Sequence, residues 1–134
     1  MKPTSGQAGA VVEWMVLTID CPDPNVMADF YATALGGEVT AQGETGAYVR
    51  AAGLDFVFRA DPHYRPPTWP STEVPLQSHF EFVVADLEAA AERMVQLGAT
   101  YAAHQDPDDP HLIVLLDPAG HPFCLIRSSA ATRR

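Results

Sequence analysis

Four side chains on two short stretches of this chain could do chemistry. The stretch "HFEFVVAD", residues 79–86, sets His79 and Glu81 two positions apart. In a strand that spacing puts both side chains on one face, as neighbours. A carboxylate beside an imidazole fixes its tautomer, and the two then form a general acid/base pair. The stretch "LLDPAGHPFCLI", residues 115–126, adds a second histidine and a thiol, His121 and Cys124. Imidazole and thiolate are both metal ligands. A plainer reading stands beside each: His79 hydrogen-bonds a neighbour and closes a cleft, and Cys124 is a buried thiol packed as a small apolar group. Of the other histidines, His63, His104 and His111 have no partner at metal-ligand spacing.

The elements that must position these groups repeat. "EWMVLTIDCPDPNVMADFYATALGGEV" can be laid over "LQSHFEFVVADLEAAAERMVQLGATY", so that Asp23 falls on Asp86 and Leu35–Gly36 on Leu97–Gly98. The offset between the two copies is about sixty residues, half the chain. Each copy opens with an alternating strand: Leu17 and Ile19 against Val16, Thr18 and Asp20, then Phe80, Phe82 and Val84 against His79, Glu81 and Val83. An aspartate next caps a helix, with Pro24 at the first helical position of the first copy. Met27, Phe30, Tyr31, Ala34 and Leu35 form one apolar stripe, and Leu87, Ala90, Ala91, Met94 and Val95 the other. Gly36 and Gly98 end the helices in a left-handed cap.

Three strands are expected after each helix: Glu38–Gln42, Gly46–Ala51 and Leu54–Ala60, then Thr100–Gln105, His111–Leu116 and Pro122–Arg127. "DPAG" reads as a type I turn between the last two. The fold class is therefore α+β, two tandem βαβββ modules in one domain. The first module is expected over residues 12–60 and the second over 77–127. Residues 61–76, with Pro62, Pro66, Pro67, Pro70 and Pro75, are expected to form a stiff extended linker. One module is too small to bury both faces of its sheet. Two packed together would curl into a half-barrel with helices outside and a cleft within. The linker carries Tyr64 and Trp69, and Trp69 is read as a lid or clamp, or as a ligand contact.

Bulk properties exclude some functions. The 134 residues carry a net charge of −9, against nucleic-acid binding, which needs a basic face. The basic tail, Arg127 with Arg133 and Arg134, is expected to fray rather than bind. "MKPTSGQAGA" and "VVEWMVLTI" make neither a signal peptide nor a membrane span. A cytoplasmic protein without a disulfide between Cys21 and Cys124 is expected. No phosphate-binding glycine loop, nucleotide fingerprint or Ser-His-Asp spacing is present.

The repeat, the helix ends "LGG" and "LGA", "HFEFVVAD" and the terminal "DPAGHPFCLI" resemble the vicinal oxygen chelate superfamily over residues 12–127. Its members include glyoxalase I, extradiol dioxygenases and the bleomycin- and fosfomycin-resistance proteins, and the similarity is greatest to the small glyoxalase-like domains. The resemblance implies a cleft metal held from the first and last strand of each module. Among those positions His79 matches. Val16 aligns with it in the first module, Cys124 stands where the family carries a glutamate, and Phe56, Val57 and Phe58 are the apolar choices on the first module's last strand. That donor set does not suit a hard divalent ion. No metal or other cofactor is expected; a soft ion such as Zn²⁺ on His79 and Cys124, with Glu81 or Asp20 as third ligand, is the alternative.

Two functions follow from the resemblance. The first is a homodimer that binds a small, partly apolar molecule, with Val16, Thr18, Asp20, Tyr48, Phe56, Trp69 and Cys124 as ligand contacts. The second is a lyase, isomerase or dioxygenase-type enzyme that uses His79 and Glu81 as acid and base.

Overall fold

The computed structural model describes residues 9–131. Arg133, Arg134 and the first eight residues, with the expectations placed on them, lie outside the described residues. Contacts divide the chain into two compact units, with the boundary between Tyr64 and Arg65.

The first unit runs β1 (Val16–Cys21), α1 (Pro24–Leu35), β2 (Glu38–Gln42), β3 (Gly46–Ala51) and β4 (Leu54–Ala60). Its open sheet has the order β1-β4-β3-β2, with β1 parallel to β4. Asp23 caps α1, its carboxylate accepting from the Asn25 and Val26 amides at 3.1 and 3.3 Å. Gly36 ends the helix at φ 67°, and a β-carbon on Gly37 would collide with Arg50 O and Ala51 Cβ of β3. Glycine there lets the chain turn tightly off the helix onto the sheet. Met27, Phe30 and Tyr31 are buried with Val49, Phe56 and Phe58. The rings of Tyr31 and Phe58 stack at 5.4 Å, each aromatic contributing about 1.5–3 kcal/mol by burial.

The second unit repeats the order: β5 (Glu81–Val84), α2 (Leu87–Leu97), β6 (Thr100–Tyr101), β7 (Leu112–Leu116) and β8 (Pro122–Arg127). Its sheet is β5-β8-β7-β6, again open, with β5 parallel to β8. Asp86 caps α2 through the Ala89 amide at 3.1 Å. Leu87, Ala91 and Met94 are buried along with Leu115, Phe123 and Leu125, whereas Val95, expected on the stripe, is 39% exposed. α+β architecture and the two tandem βαβββ modules are thus as the sequence implies.

Three local expectations give way. The strand expected over residues 100–105 ends at Tyr101. Beyond it the Gln105 carboxamide replaces main chain: Nε2 donates to Val114 O at 2.7 Å and Oε1 accepts from Val114 N at 2.9 Å. β5 begins at Glu81, so His79 lies just before the strand, although Cys124 N still donates to Phe80 O at 2.9 Å. Residues 61–76 are not extended throughout. Thr68 N donates to Val74 O at 2.8 Å, and Val74 N returns to Thr68 Oγ1 at 2.9 Å. A small loop therefore closes around Trp69. Prolines deny this segment a ladder, and a threonine hydroxyl supplies the missing partners. No helix among the described residues is long and apolar enough to cross a membrane.

Candidate functional site

The second unit gathers most of the chemistry. Its register pairs Glu81 with Cys124, and Cys124 with Val114. By strand alternation these three share the sheet face opposite α2, and Val83, Ile126 and Leu112 form the next row. His79, one step the other way, brings Nε2 to 3.6 Å from Glu81 Oε1; the two side chains are 35% and 47% exposed. The acid/base neighbours read from "HFEF" are therefore adjacent in space. Cys124 is half-buried. Burial, with the Glu81 charge adding to it, pushes the thiol pKa above its ordinary value, so at neutral pH it is a thiol rather than a nucleophilic thiolate.

Beside Cys124 lies an apolar pocket of about 70 Å³ lined by Trp69, Leu76, His79, Val114, Pro122 and Cys124. Trp69 is brought there by the Thr68–Val74 loop, and its ring meets His104 edge-on at 5.2 Å. The wall formed by Pro122 and Cys124 is set by Asp117. This buried carboxylate accepts from Ala119 N at 2.9 Å and His121 N at 3.0 Å. His121 turns its Nδ1 to Pro122 O at 3.0 Å and does not line the pocket. Gly120 has φ 80°, and a β-carbon there would lie 3.1 Å from Pro66 Cβ, so the proline-rich segment packs on this turn.

A second, wider groove of about 590 Å³ opens along the same face, lined among others by Glu81, Val83, Asp109, His111, Leu112 and Ile126. Asp109 Oδ1 accepts from the His111 amide at 2.9 Å. Sequence reading passed over Leu76, Val114, Pro122 and this Asp109–His111 pair. For Val114 and Pro122 the signal was present: once Cys124 is assigned a face, strand parity assigns theirs. Nothing in "DPDDPH" marks its loop as turning toward the sheet.

The first unit's candidates divide. Val16, Thr18 and Asp20 share a face with Asp55, Val57 and Arg59 through the β1–β4 register, and Tyr48 pairs with Val57. Phe56 points the other way, 2% exposed beneath α1. Its placement among the ligand contacts is corrected by this parity, and Val57 occupies the position equivalent to Cys124. Asp20 is held by Arg59, at 2.9 Å from both Nε and Nη2 to Oδ1. Arg50 makes a two-pronged contact with Asp55, at 2.9 and 3.2 Å. The guanidinium holds the Asp55 carboxyl below its ordinary range, and Asp55 in turn raises Arg50.

The donor set for a cleft metal is correspondingly thin. Val16 and Val57 offer hydrocarbon, and Asp20 is committed to Arg59. Among the described residues no three His, Cys, Asp or Glu side chains converge as a metal-binding group.

Comparison with known proteins bears on the family. The family model described as "Glyoxalase-like domain" matches residues 16–126, which takes in all ten elements but for the last residue of β8. The fold is similar to that of a glyoxalase/bleomycin resistance protein/dioxygenase family enzyme from Burkholderia phytofirmans PsJN. That match has TM-score 0.62 and 17% identity, and covers 84% of this chain and 96% of that one. A hypothetical protein from S. aureus is similar at TM-score 0.61 and 12% identity, covering 92% and 96%. The bleomycin-binding protein of Streptomyces verticillus, solved with copper(II)-bleomycin, is similar at TM-score 0.50 and 17% identity, covering 84% and 93%. With a family match over most of its length and the tandem βαβββ architecture behind it, the chain belongs to the glyoxalase-like domain family of the vicinal oxygen chelate superfamily.

Proposed function

We propose that this protein binds a small, partly apolar molecule on the open face of its second unit, in the cytoplasm, as a homodimer and without the divalent metal of its superfamily. The observation that carries the reading is the 70 Å³ pocket, whose lining by Trp69, Leu76, Val114 and Pro122 is hydrocarbon apart from His79 and Cys124. Small-molecule sites are mostly apolar with a few oriented polar groups. The superfamily relative from Streptomyces verticillus binds a small molecule, copper(II)-bleomycin. Val16 and Val57 support the metal-free part, since hydrocarbon offers an ion nothing for its lost hydration. Open four-stranded sheets with edges at β1, β2, β5 and β6 support pairing with a second copy.

Trp69 reports the test. Intrinsic fluorescence of the wild type and of Trp69→Phe is titrated with a library of small planar and apolar compounds. Binding should change the wild-type signal and leave the variant's remaining tryptophan, Trp14, indifferent. A signal that never differs between the two removes Trp69 from the site. Elemental analysis of untagged protein should find no near-stoichiometric Zn, Ni, Mn or Fe, and light scattering should give twice the chain mass.

The His79–Glu81 contact favours a second reading, a metal-free lyase or isomerase in which this pair moves a proton. Turnover lost in His79→Gln with ligand binding retained would support it. Tight stoichiometric binding without turnover would leave the binding role alone.

A further inference from the structure

The pocket beside Trp69 and the wider groove meet at one row of the second unit's sheet. Cys124 and Val114 border the first, and Glu81 of the same row borders the second. The next row, Val83–Ile126–Leu112, floors the groove with hydrocarbon, and Val83 is 57% exposed there. It lies two residues further along each strand, about 7 Å away. Among the described residues, the permanently charged side chains lining the groove are both carboxylates. Glu81 and Asp109 line it with His111, and among the described residues no lysine or arginine does. Two carboxylates alone would gather only counter-ions. Two carboxylates over an apolar floor, next to an apolar pocket across the Glu81–Cys124 pair, suit a molecule that is hydrocarbon at one end and cationic at the other.

We infer that the bound molecule is an alkylammonium compound, its short aliphatic end seated beside Trp69 and Cys124 and its amine in the groove between Glu81 and Asp109. This rests on the small-molecule reading above and gives it a chemical class. The pocket, about half the 150 Å³ that holds a benzene ring, takes a small aliphatic group. The groove favours the positive end on two grounds. The carboxylates attract it at short range, a modest gain at a surface where Glu81 is 47% exposed. The chain's net charge of −9 also draws cations in and repels anions, an effect that fades with added salt.

Three probes of equal length and different charge separate the terms: n-hexylamine, 1-hexanol and hexanoate, each titrated into the full chain and followed by amide chemical shifts. Hexylamine should bind about ten-fold more tightly than hexanol at low salt, hexanoate most weakly, with the amine's shifts centred on Val83, His111 and Ile126. Glu81→Gln combined with Asp109→Asn should bring hexylamine down to the hexanol affinity and leave hexanol unchanged. Leu76→Trp, which fills the pocket from its loop side, should weaken both. Equal affinity for amine and alcohol, or an amine affinity indifferent to the double substitution, overturns the cationic assignment. If hexylamine fails while other apolar compounds still move the Trp69 signal, only this inference falls. Silence of Trp69 across the library removes the reading beneath it.

Discussion

The open faces of the two sheets are built on one topology and carry opposite chemistry. In the first unit the row Thr18–Val57–Tyr48 occupies the position that Glu81–Cys124–Val114 holds in the second. One row further along the strands, Asp20 and Arg59 form an ion pair, where the second unit has Val83 and Ile126. One row back, Asp55 is gripped by Arg50, where the second unit has Pro122. The first face thus satisfies its own charges across neighbouring strands. The second leaves carboxylates, a thiol and an imidazole around hydrocarbon. A duplicated module can therefore keep its backbone while one copy pairs its own charges and the other carries an apolar pocket, because face chemistry is set by alternate residues that the helix-side core never senses.

The largest effect that would test this contrast is expected at the second unit's hairpin. Asp117→Ala strands the amides of Ala119 and His121 in a buried turn, and each such group costs about 1–3 kcal/mol. A loss of about 2–4 kcal/mol, read from the urea midpoint, is expected, with Trp69 losing its response to ligand. An unchanged midpoint would mean that the binding wall does not depend on this carboxylate.

A smaller effect is expected at the first unit's charges, and it has a sign. The Asp55 carboxyl is held low chiefly by its hydrogen bond from Arg50. The unfolded chain therefore binds a proton there at a higher pH than the folded chain does. The stabilisation is complete above the ordinary aspartate range, and it is lost as pH falls through the lowered folded value. Arg50→Gln should flatten this part of the stability–pH curve while lowering stability near neutrality. A variant that follows the wild-type curve into acid would show that the first face gains nothing from its pairing.

The smallest effect concerns the hairpin turns themselves. The first unit's β3–β4 turn uses Ala52 and Gly53, both at positive φ, 53° and 74°. The second unit's turn draws on Asp117 instead. An alanine in the left-handed region is strained, and asparagine tolerates it better. Ala52→Asn should raise stability by up to about 1 kcal/mol, seen as a higher melting temperature. No gain would mean that surrounding contacts already relieve the turn.

What was legible in the sequence follows from the range of each force. β2, β3, β4 and β8 begin and end where alternation and turn residues place them, since those signals are local. Both aspartate caps and the left-handed Gly36 end are local too, whereas Gly98 ends α2 at φ 126°, outside the left-handed cap expected there. His79 and Glu81 were readable as neighbours because the extended chain leading into β5 keeps alternate side chains on one face, although His79 itself lies outside the strand. One failure involves partners distant in sequence. Arg59 lies 39 residues from Asp20, and nothing short of the β1–β4 register reveals that they meet. Phe56 was assigned to the wrong face because a one-residue uncertainty in a strand inverts every side chain. The loop around Trp69 escaped notice because prolines announce only the absence of a ladder. Thr68 decides what replaces it.

The Gln105 carboxamide has a consequence for self-association. β6 is only two residues long, which would leave much of the outer edge of β7 bare. A bare edge strand is a template on which a second chain can add. Gln105, together with the Ala102 amide 3.1 Å from Val114 O, occupies the donor and the acceptor of Val114 at the middle of that edge. A foreign strand arriving there would have to displace three hydrogen bonds before making its first. One side chain thereby guards the middle of the β7 edge, while the β5 edge of the same sheet stays open to a second chain.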